Sequence, residues 1–159
     1  MATQIFTLVG VLIGALTSYF ATVVAERAKF RREMATRWDE RKLDTYIQYV
    51  TCIKEIQRAA LEAGRAHDAG TDASDALQEM EESENRRSIL FETFVLLSNE
   101  RAATAAHTVN QQTWKLLRTA RVPSNGMAEI RPIPLVEALN VLHEAARSDL
   151  TISKAVVVR

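Results

Sequence analysis

Charged side chains are missing from the first 25 residues of this chain, and turn-forming residues are scarce in the remainder. The first charged side chain is Glu26, and the 159 residues include only five glycines and three prolines. Because Gly and Pro end or kink helices, their scarcity favours long helices. The single cysteine, Cys52, excludes an internal disulfide and suits a reducing compartment. We expect Cys52 to be buried as a small apolar residue.

The chain also lacks an excess of either charge, since 20 basic and 20 acidic residues give a net charge of zero. A general basic footprint for nucleic acid is therefore absent, and no nucleic-acid partner is expected. A chain of 159 residues has room for one soluble domain beside an anchor. A core of that size can be stable without metals or disulfides.

The uncharged stretch contains Ile5–Val24, with the sequence IFTLVGVLIGALTSYFATVV. As a helix it is about 30 Å long, which matches the hydrocarbon core of a bilayer. Eleven of its residues are Ile, Leu, Val or Phe, and together they favour insertion by about 3 to 7 kcal/mol. A signal peptide would need a basic start and a shorter apolar core. A buried core helix, the other alternative, would carry a polar face. The stretch therefore predicts a membrane-spanning anchor.

A basic cluster comes directly after the predicted anchor and consists of Arg27, Lys29, Arg31, Arg32 and Arg37. Since Lys and Arg beside a span stay on the cytoplasmic side, we expect the N-terminus outside and the C-terminal domain in the cytoplasm. The same cluster would lie against anionic headgroups of the membrane surface. The sequence thus predicts a single-pass protein of the cell membrane with the lipid bilayer as a partner.

Small residues recur at every fourth position of the predicted anchor, at Gly10, Gly14, Ser18 and Thr22. On a helix these positions form one strip, at which two backbones can approach closely within a membrane. The strip predicts a parallel homodimer, and packing against the span of another protein is the alternative.

Helical periodicity continues through the rest of the chain and predicts four helices. The first runs on from the anchor without Gly or Pro until Gly64, which together with the turn 67–72 is expected to end it. The second helix is expected to begin between Thr71 and Ser74 and to run to about Leu97. Ser98 and Asn99 are expected to cap the third helix, at 100–121, and the fourth is expected at 134–148. The residues expected to point inward include Leu43, Ile47, Val50, Ile53, Leu77, Met80, Ile89, Phe91, Phe94, Ala102, Ala106, Val109, Leu116, Leu117, Leu135, Val136, Leu139 and Leu142.

The predicted fold class is all-α, because helical periodicity covers the chain. Since the connections between the helices are short, antiparallel neighbours are expected. An N-terminal transmembrane helix would continue into an antiparallel up-down-up-down four-helix bundle. The predicted domains are an anchor at 1–26, a basic juxtamembrane neck at 27–42, a cytoplasmic bundle at 43–150 and a tail at 151–159.

The second helix carries acidic residues that we interpret as a solvated face. They are Asp72, Asp75, Glu79, Glu81, Glu82 and Glu84.

Patterns typical of catalysis are missing. The three histidines, His67, His107 and His143, lack the preceding glutamate that a di-iron bundle requires. His143 and Glu144 resemble the start of a zinc-binding helix, but Arg147 stands where the second histidine would be. Phosphate loops, dinucleotide glycine patterns and nucleophile elbows are also absent. We therefore expect no enzyme, no metal and no cofactor.

The stretch TRWDERKLD, residues 36–44, places one aromatic residue among charges of both signs. Trp and Arg are favoured anchors of protein interfaces, so Trp38 and Arg41 form a candidate partner surface. Alternatively, Trp38 caps the lower end of the bundle and the charges pair along the helix.

Residues 10–50, with the sequence GVLIGALTSYFATVVAERAKFRREMATRWDERKLDTYIQYV, resemble the start of uncharacterised small single-span membrane proteins of actinobacteria. The resemblance implies an anchored helical domain and no particular activity. The leading hypothesis is a non-enzymatic interaction or scaffold module that presents a cytoplasmic helical bundle. The alternatives are an accessory subunit of a membrane transporter or channel, and an enzyme whose site combines the scattered residues Cys52, His107 and His143.

Overall fold

The structure is a computed structural model that describes residues 2–122 and 124–150. The side chains of residues 2–17 and of Ala21, Ala28, Arg31, Arg32 and Ala35 lie outside this description, as does the predicted tail 151–159. The described residues form four helices and no strand, so the all-α prediction is confirmed. The helices are α1 (Ala2–Ala69), α2 (Ser74–Leu97), α3 (Glu100–Ala120) and α4 (Ile133–Asp149).

The chain divides into two compact units, residues 1–38 and residues 39–159. The first unit consists of the beginning of α1, and its exposed side chains include Tyr19, Phe20, Phe30 and Met34. Within the part of the chain that the structure describes, no helix is both long and apolar enough to cross a bilayer. The greater part of the predicted anchor, residues 5–17 with Gly10 and Gly14, lies outside the described side chains.

The sequence predicted the end of α1 from Gly64 together with the turn 67–72. The helix ends within that turn, whereas the expectation that Gly64 stops it was wrong. The helix continues through Gly64 to Ala69 and ends at Gly70, whose φ of 63° is readily adopted only without a Cβ. The N–H groups of Gly70 and Thr71 then donate to the carbonyls of His67 and Ala66, which satisfies the last turn.

Gly64 lies within α1 and has a packing role there. A Cβ added at Gly64 would lie 2.6 Å from Cδ1 of Ile130. Ile130 is buried in the loop between α3 and α4. The missing side chain therefore lets this loop approach α1 closely, and the loss of helix propensity at one glycine is only about 1 kcal/mol.

Side-chain pairs show the relative directions of the helices in residues 39–159. Within each pair of helices, later residues of one contact earlier residues of the other, which is the pattern of antiparallel packing. The pairs are Tyr49–Phe91 and Arg58–Glu79 for α1 and α2, Phe91–His107 and Glu81–Arg121 for α2 and α3, and Tyr46–His143 and Lys42–Asp149 for α1 and α4. This unit is a helical bundle.

The core of the bundle is aliphatic along α4 and the end of α3, and aromatic where α1 meets α2. Small side chains line the first half of α3, where Ala102, Ala105 and Ala106 are buried. The prediction for Cys52 is also confirmed, since its side chain is buried. The largest fully buried side chains include Tyr49, Ile53, Ile56, Met80, Leu117, Leu135, Leu139 and Leu142.

Two residues that we expected in the core, Ile47 and Ile89, are exposed instead. Each stands two residues before a buried aromatic residue, Tyr49 and Phe91 respectively. Two residues correspond to about 200° around a helix, so both isoleucines lie on the side away from the core. Val136, also expected inward, lies at the solvent edge of α4. Trp114, an apolar position in the periodic pattern of the third predicted helix, is exposed as well. The core-facing stripe of each helix is therefore narrower than its apolar sequence pattern.

Candidate functional site

Asp149, the last residue of α4, joins three parts of the bundle. Lys42 Nζ donates to both carboxylate oxygens of Asp149 at 3.2 Å, and the backbone N–H of Asn99 donates to Oδ2 at 3.2 Å. The side chains of Lys42 and Asp149 are only 14% and 10% exposed. Solvent and salt therefore screen this ion pair less than a surface pair. α1, the turn before α3 and the end of α4 meet at one carboxylate.

Asn99 has a second role as the N-cap of α3. Its side-chain oxygen accepts a hydrogen bond from the backbone N–H of Ala102 at 2.9 Å. This bond satisfies one of the free N–H groups of the first turn, which is the preferred use of Asn at this position. The capping role that the sequence assigned to Ser98 and Asn99 is thus confirmed for Asn99.

A groove of about 310 Å³ lies between α1 and α4. We call it the α1–α4 groove; it is lined by Leu43 and Tyr46 from α1, by His143, Ala146 and Arg147 from α4, and by Leu150, which directly follows α4. The Tyr46 ring meets His143 edge-on at 6.0 Å and packs against Phe94 at 6.1 Å. Burial raises the pKa of Tyr46, and the positive charge of Arg147 partly offsets that rise.

Glu84 and Arg87 form an ion pair inside the bundle, with side chains 8% and 2% exposed. Nε and Nη2 of Arg87 each donate to a different carboxylate oxygen of Glu84 at 2.6 Å, and Nη1 donates to Asn110 Oδ1 of α3. The guanidinium also lies 5.9 Å from the centre of the Phe91 ring. Two parallel bonds to one carboxylate are the strong arrangement of an Arg ion pair.

The burial of Glu84 corrects the sequence prediction, which placed this residue on a solvated acidic face. Glu84 lies four residues after Met80 and seven before Phe91, so it shares their core-facing side of α2. Arg87, three residues later, supplies the charge that makes the burial tolerable. Elsewhere on α2 the acidic side chains stay at the surface, and Arg58 and Arg121 pair with Glu79 and Glu81.

Tyr49 connects this buried ion pair to the aromatic part of the core. Its ring stacks on Phe94 at 5.7 Å, and its hydroxyl donates to the carbonyl of Ala106 at 3.4 Å. Burial raises the pKa of Tyr49 to about 12, although the nearby charge of Arg87 lowers it. The hydroxyl therefore stays protonated under physiological conditions.

The predicted membrane-surface residues lie in the first unit. Arg27, Lys29 and Arg37 are exposed, and Lys29 Nζ lies 3.9 Å from Glu33 Oε1. The side chains of Arg31 and Arg32 lie outside the described residues. Three of the five predicted basic residues are therefore seen to face solvent.

Two residues of the small-residue strip, Ser18 and Thr22, are also exposed. The Thr22 hydroxyl donates to the carbonyl of Ser18 at 2.9 Å, so its polar group is satisfied within the helix. Gly10 and Gly14 belong to the residues whose side-chain surroundings are not described.

The two residues of the candidate partner surface belong to different units. Trp38 is 49% exposed and ends the first unit, whereas Arg41 is exposed and belongs to the second. Asp39, which lies between them in sequence, is buried. The Arg41 carbonyl accepts a hydrogen bond from the Thr45 hydroxyl at 2.9 Å.

The residues of the scattered-site alternative contact different aromatic groups. His107 packs edge-on against Phe91 at 5.1 Å, and His143 packs against Tyr46. Cys52 is buried. In residues 2–122 and 124–150, no group of three or more His, Cys, Asp or Glu side chains could hold a metal ion.

No protein-family model, curated protein or solved structure matches this chain. The resemblance to single-span proteins of actinobacteria therefore stays a prediction from the sequence.

Proposed function

We propose that this chain is a single-pass membrane protein whose helical bundle faces the cytoplasm and binds other proteins as a non-enzymatic scaffold. The observation that carries the proposal is the uncharged stretch Ile5–Val24, with the basic cluster directly after it. Its apolar residues favour insertion by about 3 to 7 kcal/mol, and the basic cluster favours cytoplasmic retention of the bundle. The absence of Gly and Pro between Ala15 and Ala63 supports helix on both sides of the predicted boundary between anchor and neck.

Exposed apolar side chains on the bundle support the interaction role. Ile89 and Leu96 of α2 are 72% and 82% exposed. Because they are seven residues apart, they lie on the same side of the helix. Contiguous exposed apolar patches are typical of surfaces that bind other proteins, and these two side chains supply two apolar positions, two helical turns apart, for such a surface. Trp38 of the first unit and Arg41 of the second each remain a candidate contact residue predicted from the sequence.

The membrane anchor is tested by placing charge in the predicted span. Each Arg near the centre of a span costs about 2.5 to 3.5 kcal/mol, so Leu12→Arg with Leu16→Arg outweighs the estimated insertion energy. The full-length wild-type protein should stay in the membrane fraction after carbonate extraction, and this double variant should leave it. The matched control, Leu12→Ala with Leu16→Ala, should stay. A wild-type protein that is extracted by carbonate would refute the anchor.

The orientation is tested with reporters fused after Arg159. A fluorescent protein that folds only in the cytoplasm should be active there, and an alkaline phosphatase that requires export should be inactive. The reverse pattern would contradict the cytoplasmic bundle while leaving the anchor intact.

The small-residue strip supports a second candidate, an accessory subunit of a membrane transporter or channel. Close backbone approach along Gly10, Gly14, Ser18 and Thr22 would serve a homodimer and a heteromeric complex equally well. Purification of the full-length protein in a mild detergent separates the two. A stoichiometric multi-span partner favours the subunit, and a species of twice the chain mass favours the dimer.

A further inference from the structure

The buried side of α2 is more polar than the buried sides of α3 and α4. Three of its six buried residues are polar, namely Ser83, Glu84 and Arg87. In α3 seven of the eight buried residues are apolar, and in α4 all six are. The attraction within the Glu84–Arg87 pair is largely offset by the hydration that both charges lose on burial. Burial therefore stabilises α2 less than α3 and α4, although α2 is the longest of the three.

Ion pairs at the surface connect α2 to its neighbours. They are Arg58–Glu79 and Glu55–Arg86 with α1, and Glu81–Arg121 with α3. The side chains of these three pairs are between 33% and 62% exposed. Because water and salt screen ion pairs at such exposure, each pair stabilises the attachment of α2 only weakly.

The other three helices contact one another without α2. The Tyr49 hydroxyl of α1 donates to the carbonyl of Ala106 in α3, and Lys42 of α1 pairs with Asp149 at the end of α4. α3 and α4 form the most extensive contact between helices of the bundle. These contacts link α1, α3 and α4 to each other, so none of them is lost when α2 moves away.

The chain can bend at both ends of α2. Before it, Gly70 has a φ of 63°, and after it Ser98 is extended, with φ and ψ of −94° and 158°. Asn99, the next residue, is held in place by Asp149 and by its cap on Ala102. We propose that α2 is a cover that opens as one unit while α1, α3 and α4 stay packed. This conformational device goes beyond the proposed function and does not depend on it.

Opening changes the surroundings of Tyr49 and of the buried ion pair. In the closed bundle the rings of Phe91 and Phe94 lie on Tyr49, with centres 6.1 Å and 5.7 Å from its own. When α2 moves away, these rings face water, which opposes opening. Glu84 and Arg87 regain their hydration at the same time, which favours opening. The free energy of opening is therefore lower than that of unfolding the whole bundle.

Hydrogen exchange of the full-length protein in a mild detergent, at urea concentrations below the unfolding transition, tests the proposal. The slowest amides of α2 should exchange at least roughly tenfold faster than the slowest amides of α3 and α4. Their exchange should also depend less on urea, because opening exposes less surface than unfolding does. Equal rates and an equal urea dependence in the three helices overturn the proposal.

Two core truncations distinguish opening of α2 from unfolding of the whole bundle. Leu139→Ala removes packing within α4, which the closed and the opened bundle share. It should speed exchange in α3 and α4 at least roughly tenfold and change exchange in α2 by less than about twofold. Phe94→Ala removes packing that exists only in the closed bundle, so it should speed exchange in α2 at least roughly tenfold.

The behaviour of α2 in the α4 variant decides the matter. If Leu139→Ala speeds exchange in α2 by the same factor as in α4, then α2 unfolds only with the whole bundle and the proposal is overturned. Should Leu139→Ala prevent folding, the milder Leu139→Val takes its place, and the same comparison of α2 with α4 applies.

Discussion

The buried pair Glu84–Arg87 should behave very differently when one partner is removed and when both are replaced. Arg87→Met leaves a carboxylate that is 8% exposed without its two hydrogen bonds. Removing one partner of a buried ion pair costs about 3 to 5 kcal/mol. Glu84→Leu removes the carboxylate that pairs with the guanidinium and leaves Arg87 with its bond to Asn110, and a loss of similar size is expected.

The double variant Glu84→Leu/Arg87→Met should recover most of this loss. Two apolar side chains of similar volume need no compensating charge, so the double variant should unfold within about 1 kcal/mol of wild type. Asn110 also loses its bond to Arg87, but its side chain is only partly buried and can bind water. The coupling energy between the two sites should therefore be at least roughly 3 kcal/mol.

Urea unfolding of residues 39–159, a compact unit with its own core, measures these differences. Heat unfolding of the same unit is a second measurement. For about 120 residues, a loss of 3 to 5 kcal/mol in the free energy of unfolding lowers the melting temperature by roughly 12 to 20 °C. The exposed pair Glu81–Arg121 provides the matched control, for which Arg121→Met should cost less than about 1 kcal/mol. Additive single losses, or a loss at Arg87 no larger than at Arg121, would refute the reasoning. A unit that shows no cooperative unfolding would contradict its description as an independent bundle.

Three further predictions concern other parts of the chain. Asp149→Asn should lower the free energy of unfolding by about 1 to 3 kcal/mol, because it removes the charge that faces Lys42; a loss below about 0.3 kcal/mol in urea unfolding would contradict this. Because the pKa of Tyr49 is raised to about 12 above the usual 10, the unfolded state releases this proton first, and stability should fall by about 2 to 3 kcal/mol between pH 10 and 12. Tyr49→Phe should remove this part of the pH dependence, and an unchanged slope would refute it. Gly14→Ile should weaken association in a membrane reporter assay, whereas Leu12→Ile should not; equal signals would argue against the dimer.

The helices could be predicted from the sequence because their signals are local. Periodic apolar residues located all four, and Asn99 marked the start of α3 through its capping preference. The turn 67–72 in which α1 ends was also a local signal, but the role of Gly64 could not be predicted in this way. Gly64 resembles a stop signal, and only its approach to Ile130, 66 positions later, shows that it is a packing residue.

The polar contacts of the bundle were less predictable. The burial of Glu84 had a local signal, since Met80, Glu84, Arg87 and Phe91 share one helical face. The sequence prediction nevertheless placed Glu84 on a solvated face, because five other acidic residues come shortly before it in the sequence. The contact between Lys42 and Asp149 has no local signal at all, as 107 residues separate the two. Such a pair depends on the direction and length of every helix between them.

This separation also affects how the bundle forms during synthesis. At roughly 5 to 20 residues per second, Asp149 leaves the ribosome about 5 to 20 seconds after Lys42. A helix forms within about a microsecond, so α1 is complete long before α4 exists. During those seconds, the side of α1 that α4 will cover, including Tyr46, is open to water and to other nascent chains. A chaperone that binds apolar helices would find its substrate in this interval, and delaying translation between α3 and α4 should increase aggregation.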